Sequence, residues 1–365
     1  MGVPAFWDFI KPAAKTRTLL NLATTEGFEP NKRGLRTLLV GIDIRQGPAI
    51  SAIQINACIQ IHSGNQAAAL KTLFYQLCNL QEAPVTPIFV FDGPGRPVFK
   101  RGVAVSHNQP WLIGPLKDLL TAFRYYFYEA PGEAEAELAD LNKLGFVDVV
   151  ITEDSDAVIF GAPCVFRKPH VTDMSQIYTA DSLASHPFYL DEDGLLLLVL
   201  LLGGDYHRGI FKCGPTIAHA LARCGFGRDL RRIVTGLSGD KRDEELLKWR
   251  NALKDELKTN SAGLLEKRQP KLANNIPPDF PDLDVVELYT DPLTSWSSRF
   301  AGTPPDTSCW TPCEPIVNQI SDFCVARFGW QEVILDRFKS NLWPGVALRM
   351  IFSVRSLFFS PLLKF

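Results

Sequence analysis

Three short apolar runs in the first half of the chain each lead into acidic residues. They occupy residues 37–43, 86–92 and 147–152, and they are rich in β-branched and aromatic side chains. Uninterrupted apolar strands of this kind are typical of a parallel sheet that is covered on both faces. The stretches between them predict helices at residues 66–80, 111–123 and 133–144. Strands that alternate with helices predict an α/β fold built on a doubly wound parallel sheet.

The second half of the chain is dominated by helical patterns. We expect helices at residues 216–223, 244–257 and 315–328. The longest apolar run, residues 195–202, has eight residues, whereas a membrane span needs about 20. This run therefore predicts a buried helix, and no membrane association is expected.

Charge is distributed unevenly along the chain. The 365 residues include 38 Lys and Arg, 40 Asp and Glu, and 46% hydrophobic residues, which is ordinary globular composition. Residues 206–271 hold 15 basic and 8 acidic residues, whereas residues 272–316 hold one Arg, seven acids and many prolines. We therefore predict a first domain at residues 1–205, a basic helical region at 206–271, and an acidic, Pro-rich segment with a C-terminal helical extension at 272–365. The prolines predict irregular structure at residues 272–316. The local basic excess favours an anionic partner.

Acidic residues follow the predicted strands at the edge where ligand crevices of such sheets lie. Two pairs have the form acid-x-acid, which places both side chains on one face of an extended segment. If the strand ends converge, these carboxylates repel one another unless cations bind between them. Hard oxygen ligands suit Mg²⁺ or Mn²⁺. The candidate metal ligands are Asp43, Asp92, Glu133, Glu135, Asp154, Asp156 and Asp205.

Such a carboxylate cluster points to phosphodiester cleavage. Two cations about 4 Å apart deprotonate a water, orient the phosphate and stabilise the leaving oxygen. The sequence has no recognisable Ser-His-Asp or Cys-His arrangement and no P-loop. Simpler interpretations stay open for each acid taken singly. The helix dipole alone would favour Glu133 and Glu135 in a first turn, and Asp154 and Asp156 are acceptable turn residues.

Five segments read together resemble the superfamily of structure-specific 5′ nucleases. This superfamily includes flap endonuclease, the xeroderma pigmentosum group G nuclease and the eukaryotic Holliday-junction resolvase. The sequences of the five segments are most similar to the resolvase branch. The resemblance is strong from residue 1 to 225 and weaker to 350. Its segments are MGVPAFWDF at 1–9, FDGPGRPVFKR at 91–101, EAPGEAEAELA at 129–139, TEDSDAVIFG at 152–161 and LLGGDY at 201–206.

The resemblance implies a PIN-like nuclease core, flanked by helices and followed by a helix-two-turn-helix DNA-binding region. It makes all seven acids catalytic ligands of two Mg²⁺ ions, for which Mn²⁺ can substitute. It gives Lys100 the role of positioning the scissile phosphate. Gly2, Arg96 and Arg101 are implied as further DNA contacts that orient the backbone without reading sequence. An ordinary solvated loop is the alternative for the two arginines.

Residues 209–218 resemble the helix-two-turn-helix of this family, which holds the duplex backbone and often a K⁺ ion. Glycine allows a close approach of the backbone, and the first amides of a helix can face a phosphate. The basic region that follows would make affinity fall with salt. A plain basic helical surface is the alternative. The candidate DNA-binding residues here are Lys212, Gly214, Pro215 and Thr216.

The chain also departs from the family pattern. Asp43 is followed by IRQGP at residues 44–48, where the family begins a helix, and Gly-Pro disfavours one. Ala5 and Lys212 stand where the family has glycine. A non-glycine residue is disfavoured at left-handed backbone angles, so K⁺ binding is in doubt. Residues 102–114 contain no Lys or Arg, so we expect a short loop there instead of a long basic arch.

The combined expectation is a Mg²⁺-dependent endonuclease that cleaves branched DNA, whether flap, fork or four-way junction, in repair or recombination. The expected partner is branched double-stranded DNA, bound by a monomer or by two copies on a junction, and the expected location is the nucleus. Two alternatives stay open: a catalytically impaired DNA-junction binding protein of the same fold, and a small-molecule phosphatase. We expect one ion on Asp154, Asp156 and Asp205, and the other on Asp92, Glu133 and Glu135.

Overall fold

The structure is a computed structural model of the chain. Arg101 and residues 45–48, which the sequence singled out, lie outside the residues that it describes. The described residues are 2–27, 37–44, 49–50, 59–60, 66–100, 103–104, 111–167, 175–187 and 189–358.

A mixed β-sheet lies at the centre of the fold. The strands of the described residues are β1 (Lys15–Arg17), β2 (Leu38–Ile44), β3 (Ala49–Ile50), β4 (Ile59–Gln60), β5 (Val85–Phe91), β6 (Phe99–Lys100), β7 (Val103–Ala104), β8 (Tyr126–Glu129), β9 (Val149–Ile151), β10 (Cys164–Arg167) and β11 (Ser175–Thr179). Seven of them form one sheet in the order β1-β11-β10-β9-β2-β5-β8. The five strands from β10 to β8 are parallel, and β11 and β1 add an antiparallel edge.

The described residues also form helices, some of which cover the two faces of this sheet. They are α1 (Phe6–Ile10), α2 (Leu19–Thr25), α3 (Gln66–Gln81), α4 (Ile113–Ala122), α5 (Ala134–Lys143), α6 (Asp156–Ile159), α7 (Ala180–Ala184), α8 (Glu192–Leu202), α9 (Pro215–Arg223), α10 (Phe226–Gly236), α11 (Gly239–Thr259), α12 (Pro270–Asn275), α13 (Leu283–Thr290), α14 (Val317–Phe328), α15 (Ile334–Asn341) and α16 (Trp343–Phe358). Strand β2 sends Leu39 to an apolar cluster with α5 and α8, and Val40 and Ile42 to a second cluster with α3 and α4. This alternation buries both faces of the sheet.

The order of the strands creates a crevice between β2 and β9. From β2 the chain moves outward to β5 and β8, and then returns to place β9 on the other side of β2. Ligands of open α/β sheets bind at such a switch point, outside the carboxyl ends of the strands. Two of the predicted acids, Asp43 and Asp154, lie at or just beyond the ends of these two strands.

The predicted α/β fold is confirmed. The three apolar runs form β2, β5 and β9, and the stretches between them form α3, α4 and α5 within a few residues of the expected bounds. Strands β1, β8, β10 and β11 were not predicted. They are three to five residues long and only partly buried, so their hydrophobic pattern is weak.

The C-terminal third packs onto the helix α3 side of the sheet. Phe74 of α3 contacts Trp330 and Phe338, with ring centroids 5.6 and 6.2 Å apart, and Leu342 is fully buried in the same cluster. Helices α12 and α13 interrupt the stretch 272–316, which composition had marked as irregular. The apolar side chains after residue 272 thus share the core of the first domain, and the domain boundaries themselves stay a prediction.

Helix α8 contains the longest apolar run. Its residues from Leu196 to Leu201 are buried, as predicted for residues 195–202. None of the helices in the described part of the chain combines the length and the apolar character needed to span a membrane.

Candidate metal centre and nucleic-acid interface

The switch point joins Asp43 to the loop after β9. Asp43 is the penultimate residue of β2, and only 6% of its surface is exposed. The hydroxyl of Thr152 donates to Asp43 Oδ2 at 3.2 Å and accepts from the Asp154 amide at 3.0 Å. Parallel strands end at the same edge of the sheet, so two residues 109 positions apart share one polar network.

The adjacent strand end brings Asp92 to the start of α5. Asp92 directly follows β5, and its Oδ1 accepts the Ala134 amide at 3.0 Å. Glu133 is the N-cap of α5, yet its side chain makes no capping hydrogen bond. Glu135, one residue into the helix, is buried as deeply as Glu133. A dipole interaction alone would leave these glutamates at the surface, so their burial points to a further role.

The N-terminal segment closes the third side of the centre. The Val3 amide donates to Ser155 Oγ at 2.7 Å, which fixes the chain beside α6. Gly2 has φ 77°, and a Cβ there would lie 2.1 Å from Asp154 Oδ1 and 2.8 Å from Asp156 Oδ1. Only glycine allows the backbone to approach these two carboxylates so closely.

Lys100 lies between acids from two different elements. Its ammonium group forms an ion pair with Glu133 and stands 3.6 Å from Asp205 Oδ2, just after α8. Carboxylates from β2, β5, α5, the β9–α6 turn and the end of α8 therefore surround one crevice. The structure brings all seven predicted acids together there.

Burial and mutual repulsion raise the pKa of several of these carboxyl groups. Burial raises the pKa of Asp156 to about 8, and the charges of Asp205, Glu135 and Glu133 add to the shift. Burial raises the pKa of Glu133 to about 7, although Lys100 opposes this. The pKa of Asp92 is also raised, by burial first and by Glu135 second. The crevice therefore contains more carboxylate groups than the positive charges of Lys100 and Arg96 can neutralise.

The donor atoms suit a divalent cation. Asp156 Oδ1 is buried and accepts no hydrogen bond within the described residues. Mg²⁺ or Mn²⁺ binds favourably among crowded carboxylate oxygens, because the cation offsets the mutual repulsion that raises their pKa values. In the described part of the chain, however, no three acidic, His or Cys side chains stand as a ready-made cage for one ion. Lys100 supplies part of the positive charge instead, through its contacts with Glu133 and Asp205.

The other predicted phosphate contacts have different surroundings. Arg96 is buried, and its Nη1 lies 3.3 Å from Asp92 Oδ2, so its guanidinium faces a carboxylate and not solvent. Arg96 is therefore not the solvated loop residue that the sequence offers as an alternative, because it is buried against Asp92, four residues earlier in the chain. Its role as a DNA contact stays a prediction. Arg101 lies outside the described residues.

The loop before α9 forms an exposed surface. Gly209 and Lys212 have φ values of 69° and 66°, so the lysine takes the left-handed angle that the glycine of the family would take. Gly214 is the N-cap of α9, Pro215 is its first residue, and a Cβ at Gly214 would meet no atom within 4 Å. Lys212 and Thr216 are exposed. Pro215 has no N–H, and the amides of Ile217 and Ala218 donate to the Gly214 carbonyl, so the Thr216 amide is the one in the first turn of α9 that can face an anion.

Sequence reasoning missed two tyrosines at the centre. Tyr206 donates its hydroxyl to Glu133 Oε2, and Tyr289 of α13 packs against the Tyr206 ring. The position of Tyr206 directly after Asp205 was the sequence signal that could have identified it. Nothing in the local sequence marks Tyr289.

Comparisons with known proteins agree with this geometry. Residues 125–205 match the XPG I-region family. The chain is 27% identical over 224 residues to the DNA repair protein RAD2 of Saccharomyces cerevisiae, covering 60% of this chain and 19% of that protein. It is 29% identical over 238 residues to flap endonuclease GEN-like 1 of Arabidopsis thaliana, covering 57% of this chain and 36% of that protein. The chain thus spans well under two thirds of the length of these relatives.

Solved structures extend the likeness over nearly the whole chain. The fold matches the Holliday junction-resolving enzyme GEN1 in complex with product DNA and Mg²⁺, with a TM-score of 0.72 and 28% identity, over 95% of this chain and 79% of that chain. It matches the catalytic core of Rad2 in complex with DNA substrate with a TM-score of 0.60 and 25% identity, over 90% of this chain and 96% of that chain.

Together, the fold, the acidic crevice and the matched I-region resemble the nuclease core of the structure-specific 5′ nucleases. The resemblance found in the sequence is confirmed, because the matched family, relatives and solved structures belong to the XPG and flap-endonuclease group and include the GEN1 branch.

Proposed function

We propose that the chain is a metal-dependent, structure-specific DNA endonuclease that hydrolyses phosphodiesters in branched DNA. The observation that carries this proposal is the convergence of seven buried or half-buried carboxylates on one crevice, with too few cations to balance them. Homologues named as flap endonucleases and DNA repair proteins, and a GEN1 complex with product DNA and Mg²⁺, support the same chemistry.

The crevice divides into two groups of ligands. When bound, the two cations would supply an activated water and stabilise the leaving oxygen. Asp43 adds a further carboxylate beside Asp154, held in place by Thr152. Mg²⁺ is the proposed ion and Mn²⁺ a substitute. Asp154, Asp156 and Asp205 would hold one ion, and Asp92, Glu133 and Glu135 would hold the other.

Lys100 would bind the scissile phosphate. Burial lowers the pKa of Lys100, but Glu135, Glu133 and Asp92 together raise it above the ordinary lysine value, so Lys100 is charged at neutral pH. Its partners Glu133 and Asp205 are themselves proposed ligands of cations. When those carboxylates are neutralised by cations, the Lys100 ammonium becomes available to a phosphate oxygen, which it binds as a point charge.

The exposed loop at residues 209–214 and the start of α9 would hold the duplex away from the crevice. Lys212 offers a charge, and the hydroxyl and amide of Thr216 offer hydrogen bonds to phosphates. The strained lysine at φ 66° occupies the place of the glycine that accompanies K⁺ binding, so K⁺ is the less firmly supported ion. A branched DNA substrate implies nuclear residence, with one copy or two on a junction.

The two alternative functions are less favoured. A noncatalytic junction binder has no need to keep a complete set of seven acids at a cost in stability. A small-molecule phosphatase has no need of the exposed loop and basic helices that lie beyond the crevice.

The test is cleavage of labelled flap, fork and four-way junction DNA by the purified chain, with Mg²⁺ or with EDTA. We expect Mg²⁺-dependent products with a 5′-phosphate, and no products from the double variant Asp154→Ala/Asp156→Ala, which should bind DNA at least as well because negative charge is removed. The matched control, Asp279→Ala/Asp336→Ala, removes two exposed acids and should cleave normally. Binding of junctions without cleavage under any metal would contradict the proposal.

A further inference from the structure

The carboxylate of Glu133 has two partners on opposite sides. Its Oε1 pairs with Lys100, and its Oε2 accepts the hydroxyl of Tyr206. A cavity of about 300 Å³ adjoins Glu133 and Tyr206. Packing alone therefore leaves the Glu133 side chain room to turn, and its orientation depends on the Lys100 ammonium at Oε1 and the Tyr206 hydroxyl at Oε2.

Tyr206 is held in turn by a residue 83 positions later in the chain. The ring of Tyr289 lies 4.8 Å from that of Tyr206 at 57°, and also 5.8 Å from Phe160. Tyr289 is buried, and a Cβ at Gly204 would lie 2.3 Å from its hydroxyl. The absence of a side chain at Gly204 makes space for Tyr289 next to Asp205.

The segment that carries Tyr289 is anchored to the helix that carries Glu133. After α13, the Thr294 hydroxyl donates to Asp140 Oδ2 at 2.6 Å, and the Ser295 amide donates to Glu137 Oε2 at 2.8 Å. Both acids lie on α5. The carbonyl of Leu293 comes so close to Gly132 that a Cβ there would lie 2.5 Å away. The segment 283–297 is thus attached to α5 and its preceding turn.

We propose that Tyr206 and Tyr289 are positioning residues for the metal centre, and that the segment 283–297 is part of this centre through them. Tyr206 holds Glu133 with Oε1 toward Lys100, and Tyr289 holds the Tyr206 ring. Carboxylate ligands of metals are commonly fixed by such outer partners, and loss of a partner costs about 10- to 100-fold in metal affinity or activity. The proposal rests on the proposed function of the crevice as a metal-dependent nuclease.

The primary measurement is the Mg²⁺ concentration that gives half of the maximal thermal shift, in the full chain without DNA. Tyr206→Phe keeps the ring and removes the hydroxyl, so we expect this midpoint to rise about 10-fold or more. Tyr289→Phe keeps the ring contact and should stay near the unchanged protein, whereas Tyr289→Leu should resemble Tyr206→Phe. The control Tyr126→Phe loses a hydroxyl that bonds to the Cys309 carbonyl of the C-terminal part, away from the crevice, and should leave the midpoint unchanged.

The second measurement separates positioning from simple loss of structure. We expect Tyr206→Phe and Tyr289→Leu to lower the single-turnover cleavage rate at fixed Mg²⁺, with recovery at high Mg²⁺ and unchanged DNA affinity. A merely structural role would change the metal-free melting temperature and DNA affinity and leave the Mg²⁺ midpoint as it was.

The outcomes distinguish this inference from the proposed function. An unshifted Mg²⁺ midpoint in Tyr206→Phe overturns the positioning role, as does the absence of any Mg²⁺ response in the unchanged protein. A Mg²⁺ response that shifts as expected, in a protein that cleaves no branched DNA, keeps the positioning role and refutes only the nuclease function.

Discussion

The metal-free protein should become more stable when Asp156 loses its charge. Asp156 is 4% exposed, and burial together with Asp205, Glu135 and Glu133 raises its pKa to about 8. At neutral pH the folded chain must therefore either keep a proton on this carboxyl group or hold an unfavourable buried charge. Asp156→Asn has nearly the same shape and carries no charge, so it removes this conflict.

The size of the effect follows from the difference in proton binding between the folded and unfolded chains. With an ordinary aspartate pKa of 3.8 in the unfolded chain and about 8 in the folded chain, the folded chain binds more protons between these values. The free energy of unfolding therefore falls as pH rises through this window. At about 1.4 kcal/mol per pKa unit, the loss is on the order of 2 kcal/mol at pH 5 and 4 kcal/mol at pH 7.

Urea denaturation of metal-free protein at pH 5 and at pH 7.5 measures this loss. We expect Asp156→Asn to exceed the unchanged protein in stability by an amount that grows with pH, and to lose both cleavage and stabilisation by Mg²⁺. Asp336→Asn, at a side chain that is 85% exposed, is the matched control and should change little. Equal stabilities of Asp156→Asn and the unchanged protein at pH 7.5 would refute the reasoning, because no uncompensated charge would then be buried.

Three further predictions concern backbone angles and charge. Lys212→Gly and Ala5→Gly should each raise the urea midpoint, because left-handed angles cost about 1 kcal/mol for a residue with a Cβ; unchanged midpoints would contradict this. Gly2→Ala should lower cleavage at least tenfold with an unchanged circular dichroism spectrum, because its Cβ would collide with Asp154 Oδ1; normal cleavage would refute the close approach. The logarithm of the affinity for four-way junction DNA, measured by anisotropy, should fall linearly with the logarithm of salt concentration; salt-independent binding would exclude phosphate contacts.

The centre of the sheet and the position of the acids could be predicted because they follow from short-range pattern. An apolar run followed by an acid identifies a strand and its carboxyl end, and the parallel topology then places Asp43, Asp92 and Asp154 at one edge. The acid-x-acid spacing added Glu133 with Glu135. The resemblance to a family supplied the remaining step, that these acids belong to one site.

Other features depend on contacts that no local pattern records. The sequence places Arg96 in a basic loop, but burial lets it pair with Asp92, and only the fold decides between solvent and carboxylate. Tyr289 lies in a stretch whose composition indicated irregular structure, and its approach to Gly204 depends on how α13 docks. Strands β10 and β11 pair antiparallel with each other, and no hydrophobic pattern in the sequence marked this pairing.

The two replaced glycines also bear on how a loss of activity would be interpreted. Ala5 and Lys212 adopt φ values of 58° and 66°, although neither is glycine, so the surrounding fold imposes the backbone shape that the family pattern requires. The shape of the loop is therefore kept, and what changes at residue 212 is the side chain, an exposed ammonium 5.1 Å from the exposed Phe211 ring. Suppose that junction binding is weak, and that Lys212→Gly raises stability but not affinity. The weak binding then results from contacts that the loop does not make with DNA, and not from its backbone angles. If Lys212→Ala weakens DNA binding while Lys212→Arg does not, the positive charge at residue 212 binds the phosphate. Lys212 then provides a side-chain contact in place of the glycine of the family.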